Sequence, residues 1–420
     1  MITIQSSFDI VNQKLQSNSF QQTLLKVDLC VACGMCLPHC PTYQVSQTES
    51  ESPRGRLSLI SALLKSDIQP DTNLLAHLDH CLVCRSCESC CPASVPFADI
   101  MDETRGYLKT IKSPTGFFKK ALLELINHKK TLRYLVATLN FTGIRKLLSW
   151  ISFDRLSKLG NYNYFLGQLR YSKRRNTVYR AKIKGRHSVA LFTGCVHEYF
   201  DKTSLDNAIK VLNHFGVDVY VPKQQSCCGA MYLHNGQLEQ AALLAENNRQ
   251  TFSDLKIEAV VSLASACTVT LMEAEKKQTG DSIKYIDVIS YLDSLEWDET
   301  AELSRIDEKI VLHFPCTQRN VLKNTAATER VLGRIPGLVV GKQLDSVKCC
   351  GAAGTYTLDF PERSGQLKTI ANTCLENEVF DMLVTSNIGC AMQFKSMQAN
   401  GANMIVLHPV DLIARALPEI

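Results

Sequence analysis

The sequence has no run near the ~18 continuous apolar residues that a membrane span requires. Its opening, MITIQSSFDIVNQK, lacks the basic stretch and apolar core of a secretory leader. Together these absences lead to the expectation of a cytoplasmic protein. No G-x-G-x-x-G opens a helix after a strand, so the chain advertises no dinucleotide site of its own. Acids are scarce in one stretch, where 20 Lys or Arg between Arg105 and Arg186 face only Glu124 and Asp154. Cysteine, by contrast, is abundant, with 18 in 420 residues. Disulfides in that number are hard to keep in a reducing compartment, so metal ligation is the default reading and catalytic thiols the rival.

A chain of 420 residues exceeds what one ordinary core accommodates, and two or three domains are expected. The composition, 45% hydrophobic and 21% charged, is that of a globular protein rather than a disordered one.

The strongest pattern is C-x2-C-x2-C-x3-C-P, present twice, as Cys30, Cys33, Cys36, Cys40 before Pro41 and as Cys81, Cys84, Cys87, Cys91 before Pro92. Three thiolates two residues apart wrap one corner of a cubane, and the fourth ligates the other cluster in two-cluster proteins. The expectation is two [4Fe–4S] clusters, one on Cys30, Cys33, Cys36 and Cys91, the other on Cys40, Cys81, Cys84 and Cys87. Structural zinc, the bland alternative, usually takes two separated thiolate pairs. Between the runs, LSLISALL and LLAHLDH place apolar residues at three- and four-residue spacing, which predicts helices and an all-helical module. Cys90, beside Cys91 but off the spacing, is expected to be a buried spectator.

The back half is duplicated. Cys195, Cys227, Cys228 and Cys267 recur as Cys316, Cys349, Cys350 and Cys390 at offsets of 121, 122, 122 and 123 residues, and each cysteine pair is followed by glycine. Short apolar β-branched runs alternate with helical patterns in both copies, predicting βαβ units and parallel sheets. The cysteines follow the strands, where open α/β sheets place their ligands. A metal or cluster, a catalytic dithiol and inert buried cysteines are the three readings of these eight. Cys374 is expected in the core, and His313 as a satisfied structural group.

With CPTYQ at Cys40 to Gln44, PRGR at Pro53 to Arg56, HLDHCLVCRSCESCCP at His77 to Pro92, CCGAAGTY at Cys349 to Tyr356 and TSNIGC at Thr385 to Cys390, the chain resembles the glycolate oxidase iron–sulphur subunits. More broadly it resembles the cysteine-rich CCG-domain oxidoreductases, which include the iron–sulphur subunits of glycerol-3-phosphate and D-lactate dehydrogenases. The resemblance implies that a separate FAD subunit oxidises a 2-hydroxy acid while this chain relays the electrons to quinone, with no catalytic residue of its own. One departure stands out. Where heterodisulfide reductase-type domains carry a CxxC pair, this chain has Ala264 before Cys267 and Asn387 before Cys390, one ligand short of a five-thiolate cluster. An independent thiol–disulfide enzyme using the CCG cysteines is the alternative function.

The fold expected is α+β and multidomain: an all-helical two-cluster ferredoxin-type domain over residues 1–105, a basic helical linker over 106–186, and CCG domains over 187–305 and 306–420. The basic strip, with Tyr162, Tyr164, Phe165, Tyr171 and Tyr179 interleaved, is read first as a solvated face and next as peripheral contact with anionic lipid on the inner face of the cell membrane. Nucleic acid is not expected as a partner.

Overall fold

The computed structural model describes residues 18–111, single helical residues and a short stretch between 123 and 138, 175–181 and 187–418, with breaks at 279–281, 298–301, 345, 376–377 and 398–403. Most of the basic strip, and with it the lipid-contact expectation, lies outside the described residues. No helix among the described residues is long and apolar enough to cross a membrane.

The front module is helical, as its apolar spacing requires: α1 Asn18–Val27, α2 Pro41–Ser46, α3 Pro53–Leu64, α4 Thr72–Asp79, α5 Ser86–Ser89 and α6 Phe97–Ile111. Short polar side chains start two of them. Ser52 Oγ accepts from Gly55 N and Asp71 Oδ1 from Leu74 N, satisfying amides that the first turn leaves unpaired. Leu57, Ile60 and Leu63 of α3, Leu74 and Leu78 of α4, and Ile100, Met101 and Leu108 of α6 close a core whose members each contribute about 1.5–3 kcal/mol on burial. Gly55 permits α3 to lie on the preceding loop, since a Cβ there would meet Glu49 O at 1.9 Å.

Among the described residues nine strands follow: β1 Val178–Tyr179, β2 His187–Phe192, β3 Val217–Tyr220, β4 Ala259–Ser262, β5 Tyr285–Asp287, β6 Lys309–His313, β7 Val339–Gln343, β8 Met382–Thr385 and β9 Ile405–Leu407. They form two sheets, in orders β1-β3-β2-β4-β5 and β7-β6-β8-β9. Every pairing is parallel except β1 with β3. Without β1 the two orders are the same, which is the duplication seen in topology. The central strands β4 and β8 are buried along their whole length, as sheets covered on both faces demand. One expectation needs correcting. The segment 106–186 was expected to be a helical linker, but it contributes β1, whose two residues zip onto the free edge of β3. Residues 123–125 are helical as expected.

The copies are fused through helices α7 His197–Phe200, α8 Lys202–His214, α9 Ala230–His234, α10 Leu238–Ser253, α11 Ser265–Glu275, α12 Val288–Ser294, α13 Thr325–Leu332, α14 Tyr356–Asp359, α15 Pro361–Thr373, α16 Ile388–Lys395 and α17 Pro409–Ala416. α17 of the second copy packs on α8 of the first, and α12 of the first on α13 of the second. Asp411 ties the first pair, accepting from Ser204 Oγ and Asn207 Nδ2 at 2.8 Å each. One hydrophobic core consequently runs through both copies, from Val189 and Leu212 to Leu312 and Ile413.

Candidate metal centres

The two front cysteine runs are shaped by the same backbone turns. Ala32 and Gly34 of the first run take φ of 54° and 80°, and Val83 and Arg85, 51 residues on, take 48° and 60°. Left-handed conformations at non-glycine residues, a β-branched valine among them, cost energy and persist where the surroundings enforce them. Cys30, Cys33, Cys36 and Cys91 line one cleft, with Cys87 on its wall. Cys84 and Cys87 each lie within the electrostatic reach of Cys40 and Cys81. Cys87 thus borders both groups, with Cys30, Cys33, Cys36 and Cys91 on one side and Cys40, Cys81 and Cys84 on the other.

Exposure separates these sets. Cys33 is exposed, between exposed Val31 and Met35, whereas Cys40, Cys84 and Cys87 are buried. Burial pushes Cys36 up to about 11 and holds Cys84 and Cys87 well above the ordinary thiol range. Buried thiols without a cation stay protonated, and a bound metal supplies the missing positive charge and deprotonates them outright. This donor set fits iron–sulphur clusters.

The PRGR motif braces the first run and, through Thr42, its Cys40 end, a role its sequence did not disclose. Arg54 donates to Ala32 O at 3.1 Å, inside the first cysteine loop, and pairs with Glu49 at 2.7 Å. Arg56, 1% exposed, donates to Glu51 Oε2 (2.6 Å), Glu51 O (2.6 Å), His77 O (2.8 Å) and Thr42 Oγ1 (3.0 Å). Thr42 Oγ1 in turn lies 3.2 Å from Cys40 Sγ. Glu51 Oε1 also meets His77 Nδ1 (2.9 Å), His80 Nδ1 (2.7 Å) and Arg363 of the second copy (3.2 Å). Burial works against the charged carboxylate, but the hydrogen bonds from His80 and His77 and the charge of Arg56 hold it down at about 2. Glu51, His77 and His80 are close enough to chelate a cation. With two guanidiniums already on the carboxylate, the group is an ion-pair knot.

In each duplicated domain the four cysteines converge at the carboxyl ends of the strands. Cys195 and Cys227 are 3.3 Å apart at sulphur, and Cys228 hydrogen-bonds both Cys227 and Cys267. In the second copy Cys316 bonds Cys349, Cys349 bonds Cys350, and Cys350 lies 2.9 Å from Cys390. The glycines after the pairs, Gly229 and Gly351, have φ of 92° and 84°, and a Cβ on them would press within 3.2 Å of Ala241 O in α10 and of Ser364 O in α15 respectively. The pair loops are pinned differently. Asn248 accepts from Ser226 N (2.8 Å) and donates to Cys227 O (2.9 Å) in the first copy. Arg319 donates to Val347 O (3.1 Å) and Lys348 O (2.9 Å) in the second. Asn387, where the five-thiolate pattern has a cysteine, donates to Cys390 Sγ at 3.5 Å. Ala264, its counterpart, offers no such donor.

The bond to Cys227, then that to Cys267 and burial, push Cys228 well above the ordinary range; the bond to Cys349 and burial do so for Cys316. A dithiol nucleophile needs the opposite shift. All eighteen cysteines are thiols rather than disulfides. Cys90 is half-buried rather than buried, its sulphur facing Cys87 O and Met35 O. Cys374 is half-buried beside Ser346 Oγ at the edge of the second domain's core. His313 is buried, paired with Thr385 Oγ1 at 2.9 Å and packed on Phe394, a satisfied structural group as expected.

A helical module with two interleaved cysteine sets, joined to a duplicated α/β pair with four thiols each, defines an iron–sulphur protein of the dicluster and cysteine-rich type. Residues 26–95 match the 4Fe-4S dicluster domain, and residues 189–272 and 310–395 match the cysteine-rich domain CCG. The chain thus carries one dicluster domain and two cysteine-rich domains, and over nearly its whole length it is similar to glycolate oxidase iron–sulphur subunits. It is 28% identical to the glycolate oxidase iron-sulfur subunit of Escherichia coli (93% of this chain, 94% of that one). Identity is 26% to the probable glycolate oxidase iron-sulfur subunit of Bacillus subtilis (95% and 96%). Lactate utilization protein A of Shouchella clausii is 25% identical over 54% of this chain and 98% of its own length.

Proposed function

We propose that this chain is the electron-transfer subunit of a flavin-dependent 2-hydroxy-acid dehydrogenase, taking electrons from a separate FAD subunit and passing them towards quinone. The observation that carries the reading is the pair of interleaved thiol sets on matched left-handed loops, one open to solvent and one buried. Clusters bound there would supply one-electron steps to a partner whose flavin receives two electrons at once. The residues of the chain supply the rest. Cys30, Cys33, Cys36 and Cys91 would hold one cluster, and Cys40, Cys81, Cys84 and Cys87 the other. Arg54 and Arg56 fix the first loop and its Cys40 end, and the exposed Cys33 edge would face the incoming electrons. Cys195, Cys227, Cys228 and Cys267, and Cys316, Cys349, Cys350 and Cys390, would each hold a further metal centre. The similarity to glycolate oxidase subunits over nearly the whole chain supports the substrate class. The raised thiols of the CCG sets weigh against an independent disulfide-exchange enzyme, which needs a thiolate at neutral pH. Peripheral attachment to the inner face of the membrane through the basic strip belongs to the same reading and requires release by high salt.

The test is to purify the chain anaerobically and mix it with glycolate, D-lactate or glycerol 3-phosphate and a quinone analogue, with and without an FAD-containing 2-hydroxy-acid dehydrogenase subunit from the same organism. Cluster bleaching is expected only with the flavoprotein. Turnover by the flavin-free chain alone would overturn the subunit assignment.

A further inference from the structure

The second duplicated domain meets the front module with its cysteines, and the first meets it by other residues. Cys84 and Leu82 pack with Cys349 and Tyr356 in one apolar cluster, with Cys316 and Val45 against it. Asn320, four residues after Cys316 and buried, donates to the Cys84 carbonyl at 2.8 Å and to Ser86 Oγ at 3.3 Å. Arg363 reaches across to Glu51. The first domain touches the same module through Arg85 with Glu273, and through Arg105 on the His234 carbonyl at 3.2 Å. Its own four thiols pack among side chains of their own domain and Leu123.

We propose that the two CCG domains are unequal in electron transfer: a metal centre on Cys316, Cys349, Cys350 and Cys390 exchanges electrons directly with the cluster on Cys40, Cys81, Cys84 and Cys87, and the first set lies off that step. The proposal rests on the reading of the front cysteines as ligands of two clusters. The step would be a one-electron exchange in which the front cluster is oxidised and an iron–sulphur centre held by the second set is reduced, an exchange that redox-inert zinc on the same four thiolates would not support. Asn320 is a positioning residue that holds the Cys84 loop against the second domain. Duplication supplies the internal control, because each second-set cysteine has a counterpart 121 to 123 residues earlier.

The experiment is an EPR-monitored redox titration of the full chain, purified anaerobically, as wild type and as Cys350→Ser, Cys228→Ser and Asn320→Ala, with Cys84→Ser to identify the signal of the cluster it ligates. Fewer than two cluster signals in the wild type overturns the ligand reading and the route with it. Given two signals, Cys350→Ser and Asn320→Ala are each expected to shift the midpoint potential and microwave saturation of one cluster, the one whose signal Cys84→Ser removes. Cys228→Ser is expected to leave both clusters where they were. Equal effects of Cys350→Ser and Cys228→Ser, an effect of Cys228→Ser alone, or no effect of either Cys350→Ser or Asn320→Ala overturns the route while leaving the two-cluster reading intact. Asn320→Ala removes no thiolate, so the test stays decisive should Cys350→Ser fail to fold.

Discussion

The two front cysteine loops have the same spacing and the same left-handed turns, yet one holds its middle thiol in solvent and the other buries it against another domain. Ligand geometry is therefore a property of the motif, and accessibility a property of what packs on it. An exposed loop meets partners and oxidants, while a buried one meets only the rest of the chain.

The largest effect that would break this contrast comes from Cys84→Ser, which is expected to remove the EPR signal of one front cluster and to lower bound iron by about four per chain from at least about eight. Full iron with both signals present would void the ligand assignment. Next in size is Glu51→Gln. It leaves the buried Arg56 guanidinium without its carboxylate, and losing one partner of a buried pair costs about 3–5 kcal/mol. A guanidinium-chloride unfolding midpoint unchanged from wild type would contradict it. The same residue gives a pH signature. Its folded value of about 2 lies below the ordinary 4.5, so its stabilisation is complete above about 4.5 and fades as pH falls towards 2. The stability gap between wild type and Glu51→Gln should narrow over that interval; a constant gap from pH 6 to pH 3 would refute the ion-pair account. Chelator challenge under argon sharpens the comparison further, because the cluster beside exposed Cys33 should be stripped before the buried one. Simultaneous loss would mean that burial does not separate them. The smallest effect belongs to Arg54→Ala, whose exposed pair with Glu49 contributes little. It should lower the unfolding midpoint far less than Glu51→Gln while hastening loss of the cluster beside Ala32, and equal loss of both clusters would count against the brace.

Much of this could be read from sequence because its signals are local. Cysteine spacing and the β-branched runs at Val189, Val260, Val311 and Val384 lie within windows of a few residues, and the repeat offsets of 121 to 123 residues show because the same local motif recurs. The Glu51 knot is not local: its partners stand 5, 26, 29 and 312 residues away. No periodicity records such a meeting, and Glu51 reads as one more surface acid in ESESPR. β1 was missed for a related reason, since two residues at a sheet edge leave no alternation to detect. The contact of Cys84 with Cys349 depends on how whole modules dock, which neither motif encodes.

The single apolar core threaded through both copies has a consequence for how the molecule lives and dies. Because Leu212 and Ile289 of one copy share their packing with Leu332 and Ile413 of the other, neither half presents a closed surface by itself. The ancestral unit, once doubled, gave up its independence: the pair should melt in one cooperative transition, and a protease cut between them should release no stable half.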